Sequence, residues 1–177
     1  GTVAGSIVRA VDRLGWPKDD VALVTGIGCT GRMGVYLDFN TLHTTHGRAL
    51  AFATGLKLAK PGMHVITVLG DGDTLAIGGN HFIHSCRRNI GITAIVVNNS
   101  IYGMTGGQVS PTTPYGATAT TATYGSIDPP FQVCELAKAA GAPFVARATV
   151  YHTTELVSIL AKAFSKNGFS LVEIISQ

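Results

Sequence analysis

The stretch VITVLGDGDTLAIGGNHFIHSCRRNIGITAIVVNNSIYGM, residues 65–104, decides the fold. Residues 65–69 and 92–97 are apolar or threonine throughout, with no polar alternation. Such runs read as strands buried on both faces, which is the habit of parallel sheets. Between them, residues 74–89 carry helical spacing and end in Arg87 and Arg88, where the helix dipole favours cations. Strand, helix and strand in succession form a βαβ unit, and two parallel strands need such a crossover.

The pattern continues outward. Val3, Ile7, Val8, Val11 and Leu14 share one helical face, closed by Gly15 and Pro17. Residues 21–25 predict a short buried strand running into the glycine-bounded turn 26–31. Residues 46–60 predict a helix stopped by Pro61 and Gly62. Toward the carboxyl end the expected order is helix 131–140, strand 143–148, helix 153–167 and strand 169–175. The fold class is therefore α/β, a mostly parallel sheet with helices on both faces, in a single domain 1–177. Residues 103–130 stand apart. They hold seven threonines and four prolines with no periodicity, and a loop of that length in a compact domain is usually functional or disordered.

Composition narrows the function classes. Of 177 residues 46% are hydrophobic and only 13% charged, with net charge +3 and 22 glycines, against about 25% charged in ordinary proteins. That balance excludes disorder. No basic stripe suggests a nucleic-acid partner, and no apolar run approaches the roughly 18 residues of a membrane span. Cys29, Cys86 and Cys134 lie far apart without CxxC spacing, which argues against a disulfide framework and fits a reduced, cytoplasmic setting. The chain begins at Gly1 without methionine and stops just after a strand-like run, so both ends are expected to be trimmed.

Three polar clusters follow three strands: 28–31 (GCTG), 70–73 (GDGD) and 98–103 (NNSIYG). Neighbouring strands would bring all three to one sheet edge, where ligands of such folds bind. Asp71 and Asn99 are 28 positions apart, each just past the end of its strand. A carboxylate, an amide oxygen and a backbone carbonyl suit Mg²⁺, a hard cation that completes its octahedron with phosphate. Each cluster alone is an ordinary turn; the pair after two apolar strands is more specific.

GDG followed by NN at this spacing is the thiamine-diphosphate motif. With GIGCTGR (26–32), LHTTHGRALAFATGLKLA (42–59) and GDGDTLAIGGNHFIHSCRRNIGITAIVVNNSIYGMTGGQVSPTTP (70–114), the chain resembles the β subunit of 2-oxoacid:ferredoxin oxidoreductases over residues 3–175. HTTHGRA, IGGNH and IYGMTGGQ look most like the 2-oxoglutarate type. The resemblance implies the thiamine-diphosphate-binding fold, specifically its diphosphate-type domain. It implies Asp71, the Asn99 side chain and the Ile101 carbonyl as Mg²⁺ ligands, and Gly72 and Asp73 at the diphosphate. Gly103 and Met104 would touch the far side of the cofactor, and Ile27, Gly28, Cys29 and Thr30 would form its first loop. His46 would stand beside the cofactor as the catalytic candidate. Cys29 would also match a [4Fe–4S] ligand; the family's CxxC pair before the first helix and its cysteine after the last strand would fall at the two trimmed ends, so the cluster is expected in the intact subunit.

The implied activity is CoA-dependent oxidative decarboxylation of a 2-oxoacid, with electrons passing to ferredoxin. The implied partner is an α subunit carrying the aminopyrimidine-binding domain and its glutamate, since Glu135, Glu155 and Glu173 are expected away from the motifs. Two other readings stay open: a fragment of another thiamine-diphosphate-dependent decarboxylase or synthase, and a non-catalytic phosphate-binding subunit. His43-x-x-His46 and His81-x-x-His84 have zinc-like spacing but lack a convincing third ligand. Arg48 could meet a substrate carboxylate or an interface acid. Cys86 and Cys134 read as buried hydrophobes.

Overall fold

The computed structural model describes residues 1–176; Gln177, the last residue of the expected domain, lies outside them. Six parallel strands form one sheet: β1 (Val21–Thr25), β2 (Asn40–His43), β3 (His64–Gly70), β4 (Ile92–Asn98), β7 (Phe144–Thr149) and β8 (Ser170–Ile175). Their spatial order is β2-β1-β3-β4-β8-β7. Helices α1 (Thr2–Arg13) and α5 (Thr153–Phe164) cover one face; α2 (Ala49–Ala59), α3 (Gly79–Arg87) and α4 (Val133–Ala139) cover the other. Between the central strands and the last helices, β5 (Ile101–Tyr102) and β6 (Gln108–Val109) form a small antiparallel hairpin.

The side-chain alternation of the strands divides the core in two. Ile66, Val68, Ile95, Val97, Val172 and Ile174 pack against α1 and α5, through Ile7, Val11, Leu156 and Leu160. Val65, Leu69, Ala94, Val96 and Leu171 pack against α2, α3 and α4, through Leu50, Ala53, Phe82 and Val133. Every residue of β1 and β4 is buried, as their unbroken apolar character requires.

The structure corrects the sequence reading in three places. The helix expected from residue 46 starts at Ala49. Before it, Gly47 sits at φ +72° and a Cβ there would lie 2.6 Å from the Ile77 side chain, so the turn needs glycine. The helix expected over 74–89 is two pieces, a π-helical turn Asp73–Ile77 and then α3, separated at Gly78. Finally, β2 was not foreseen. It is an edge strand with all four residues exposed, so it carries no apolar pattern to read.

Cys86 is fully buried among Phe82, Ala53 and Ile92. Burial pushes its thiol from the ordinary 9.0 up to about 12. Between those values the unfolded chain releases this proton while the folded one keeps it, so stability falls as pH rises. The thermal unfolding midpoint is therefore expected to drop as pH is raised above about 9. Cys86→Ala should flatten that alkaline slope relative to the wild type, read by a melting series across pH 8–11.

Candidate thiamine-diphosphate and cation site

β1, β3 and β4 are adjacent and parallel, so the turns after them meet at the carboxyl edge of the sheet. They enclose a cleft open to solvent at that edge, the place where ligands of such sheets bind. Its walls are Ile27, Gly28, Cys29 and Thr30 from the first turn and Gly70, Asp71, Gly72 and Asp73 from the second. Asn99, Ile101, Tyr102, Gly103, Met104 and Thr105 come from the third, and His46 closes one side. All twelve residues singled out from the sequence thus line one cavity.

The cation end is built around Asp71, only 2% exposed. Its Oδ2 accepts hydrogen bonds from Ser110 Oγ at 2.5 Å and Thr112 Oγ1 at 2.6 Å. Its Oδ1 lies 3.1 Å from one atom of the Asn99 side-chain amide, and that same atom is 2.9 Å from the Ile101 carbonyl. With the amide oxygen at that point, three acceptor oxygens converge with no proton between them. Such a cluster is tenable only around a cation; otherwise the amide must reverse and donate. One carboxylate, one amide and one carbonyl oxygen are the hard donors that suit Mg²⁺, with water and phosphate oxygens completing the octahedron. The donor set fits the metal.

The diphosphate side is backbone. Gly72 opens the helical turn after β3, and first-turn N–H groups have no partner within a helix, which makes them anion donors. A side chain at Gly72 would collide with the Tyr102 ring. Asp73 departs from expectation. Its carboxylate is 3% exposed and turns away, accepting from the Gly47 N–H at 2.5 Å and lying 3.1 Å from His46 Nδ1. Only its main chain is left for a diphosphate. Burial pushes the Asp73 carboxyl up, opposed by the Gly47 N–H and the His46 ring. His46 Nδ1 is also 3.2 Å from the Ile27 carbonyl, so two groups fix its ring on the cleft wall.

Arg48 does not line the cleft. Its Nη1 donates to the carbonyls of Gly47 and Ile77, at 3.3 and 3.1 Å, and ties the turn before α2 to the π-helical turn. Cys29 is exposed, whereas Cys86 and Cys134 are buried. Among the described residues no group of three or more His, Cys, Asp or Glu side chains gathers as a metal site. The cysteines present do not make a [4Fe–4S] ligand set, which takes four, and the two HxxH pairs find no third ligand.

Other polar residues here were not foreseen. Ser110 and Thr112, both about 95% buried, come from the long 103–130 segment, which folds back over the ends of β3 and β4. Glu173, expected away from the motifs, reaches the first asparagine of the NN pair: Asn98 Nδ2 donates to its Oε1 at 2.8 Å. A glutamate inside the apolar run SLVEII (170–175) was the available signal, since buried acids are rare unless paired.

The arrangement, a buried carboxylate, an amide and a carbonyl beside glycine turns at the carboxyl edge of a parallel sheet, is of the class of candidate cation and diphosphate sites. Residues 22–174 match the family described as thiamine pyrophosphate enzyme, C-terminal TPP binding domain, and the chain belongs to that family. It is 56% identical to 2-oxoglutarate synthase subunit KorB of Archaeoglobus fulgidus, over 99% of this chain and 66% of that protein. It is 43% identical to 2-oxoglutarate oxidoreductase subunit KorB of Mycobacterium tuberculosis, over 98% of this chain and 46% of that one. The chain thus spans less than two thirds of these relatives. Among solved structures it matches 2-oxoglutarate:ferredoxin oxidoreductase from Magnetococcus marinus, a structure with 2-oxoglutarate, coenzyme A and succinyl-CoA bound. That match has a TM-score of 0.98 and 37% identity, covering 99% of this chain and 60% of the other. The resemblance read from the sequence stands. Among the described residues no helix is long and apolar enough to cross a membrane.

Asp73 is expected to govern the turn that carries His46. Asp73→Ala should speed hydrogen exchange at the Gly47 amide. Asp73→Asn retains an acceptor and should leave that amide slow, as read by exchange mass spectrometry.

Proposed function

We propose that this chain forms the diphosphate-binding half of the active site in the β subunit of a 2-oxoacid:ferredoxin oxidoreductase. The convergence of the Asp71 carboxylate, the Asn99 side-chain amide and the Ile101 carbonyl at one end of the cleft carries this reading. Thiamine diphosphate, when bound, supplies the electron sink that decarboxylation of a 2-oxoacid requires. The chain's own residues have three tasks. Asp71, Asn99 and the Ile101 carbonyl hold Mg²⁺ against the diphosphate, and the Gly72 and Asp73 amides donate to phosphate oxygens. Ile27, Gly28, Cys29, Thr30, Gly103 and Met104 pack along the cofactor and exclude water. His46 offers a ring nitrogen to the substrate's carboxylate or carbonyl.

The cleft has no glutamate among its lining residues, so the aminopyrimidine end falls to a partner α subunit. With that partner the substrate is 2-oxoglutarate, coenzyme A accepts the acyl group and ferredoxin the electrons, in the reduced cytoplasm. The names of the relatives favour 2-oxoglutarate. Arg48 is committed to main-chain carbonyls, so the cation that selects the distal carboxylate belongs to the partner chain. A [4Fe–4S] cluster on Cys29 would need three further thiolates beside it.

The test is titration of the complete enzyme with thiamine diphosphate at fixed Mg²⁺. Asp71→Ala should weaken binding by more than about a hundredfold, beyond the 10- to 100-fold typical of outer-shell changes. Unchanged affinity would overturn the cation site. His46→Ala should leave that affinity within about twofold while lowering 2-oxoglutarate-dependent reduction of ferredoxin by about 10²-fold or more. If no 2-oxoacid supports CoA-dependent reduction in the wild type, the assigned reaction is wrong.

A further inference from the structure

Glu173 is 1% exposed, a position that isolated carboxylates avoid. Its Oε2 accepts from Arg147 Nε at 2.7 Å and from the Cys134 thiol at 3.2 Å. Its Oε1 accepts from Asn98 Nδ2. That bond decides which way the Asn98 amide faces. Asn98 Oδ1 is thereby aimed at the Ser100 N–H, 3.1 Å away, and at Thr112 Oγ1, 2.9 Å away. Thr112 Oγ1 carries one proton and shares it between two acceptors, Asn98 Oδ1 and Asp71 Oδ2. A continuous buried path thus runs from half-exposed Arg147 on the edge strand to Asp71 under the cleft.

We propose that Glu173 is a positioning residue of the cation site, fixing Asp71 through Asn98 and Thr112. This inference rests on the Mg²⁺ reading above. The path requires a carboxylate at this point, because an amide would fail in either orientation. A glutamine with its oxygen toward Asn98 would turn its NH₂ group against the Arg147 and Cys134 donors. Reversed, it would force the Asn98 amide to flip and set an NH₂ against the Ser100 N–H. Each arrangement leaves donor facing donor, and the reversal also changes how the single Thr112 proton is divided between Asn98 and Asp71. Mg²⁺ demands near-ideal octahedral geometry, whereas Ca²⁺ tolerates irregular sites. A loosened Asp71 should therefore cost Mg²⁺ more than Ca²⁺.

The experiment measures, on the complete enzyme, the Mg²⁺ and Ca²⁺ concentrations that half-saturate thiamine-diphosphate binding, together with the melting temperature. Glu173→Gln should raise the Mg²⁺ requirement about tenfold or more and the Ca²⁺ requirement less. Leu160→Ala, a core truncation on the α1/α5 face, should lower the melting temperature without moving either requirement. If Glu173→Gln does not assemble, Arg147→Met carries the test. It keeps the carboxylate, removes its guanidinium partner at a half-exposed site, and should shift Mg²⁺ dependence in the same direction. A wild-type-like Mg²⁺ requirement in the variant overturns the inference. So does an equal shift in Leu160→Ala, because the effect would then follow stability alone. Cofactor binding by the wild type that is indifferent to Mg²⁺ and Ca²⁺ would overturn the cation site itself, a distinct failure.

Discussion

The carboxyl edge of the sheet depends on one buried group, the Asp71 carboxylate. An unsupported carboxylate in a dry site costs several kcal/mol, and two hydroxyls offset that cost at Oδ2. Oδ1 is left for the cluster it forms with the Asn99 amide and the Ile101 carbonyl. Each of these supports has a structural price. Ser110 and Thr112 reach Asp71 only because the threonine-rich segment doubles back after the β5–β6 hairpin, where Thr113 Oγ1 donates to the Ser100 carbonyl at 2.7 Å. Asn99 faces Asp71 only because β3 and β4 are adjacent, in a register that pairs Gly70 with Val97.

The same crowding explains the irregular backbone on the far side of Asp71. Asp73 is drawn away from the cleft by the Gly47 N–H and His46, and the chain beyond it winds as a π-helical turn before α3 resumes regular geometry. π-Helical turns recur at functional sites. Here the turn accommodates the approach of residues 46–48, with Gly47 against Ile77 and Arg48 bonded to the Ile77 carbonyl. The two acids of GDGD therefore do different work. Asp71 turns toward the cation end, while Asp73 braces the wall that carries His46.

Much of this was legible because burial leaves a compositional trace. β1, β3, β4 and β8 are buried on both faces and mostly apolar, so their sequences announced a parallel sheet, and the polar turns after β1, β3 and β4 marked the edge where the cleft lies. β2 left no trace because an exposed edge strand needs no apolar side chain. The break at Gly78 was hidden because Leu75, Phe82 and Cys86 keep helical spacing across it. Ser110 and Thr112 could not be told apart from the six other threonines of their segment. Their importance comes from a long-range return of the chain, which local pattern does not record. Glu173 was visible as a lone acid in an apolar strand, but its partner Asn98 lies 75 residues away.

Scarcity of charge takes on a specific meaning in this light. Of ten acidic residues, three — Asp71, Asp73 and Glu173 — are at most 3% exposed, and each is placed in or behind the cleft. Ile27 and Met104 stay more than 40% exposed on the cleft wall, and Tyr115, Tyr124 and Ile127 more than 70% on the segment that braces Asp71. Apolar and aromatic side chains are what the centre of an interface is made of. A rigid, hydrogen-bonded floor under an open apolar mouth is the form expected of half an active site. The ordering of the Asp71 end is completed within this chain, by Ser110, Thr112 and Asn98.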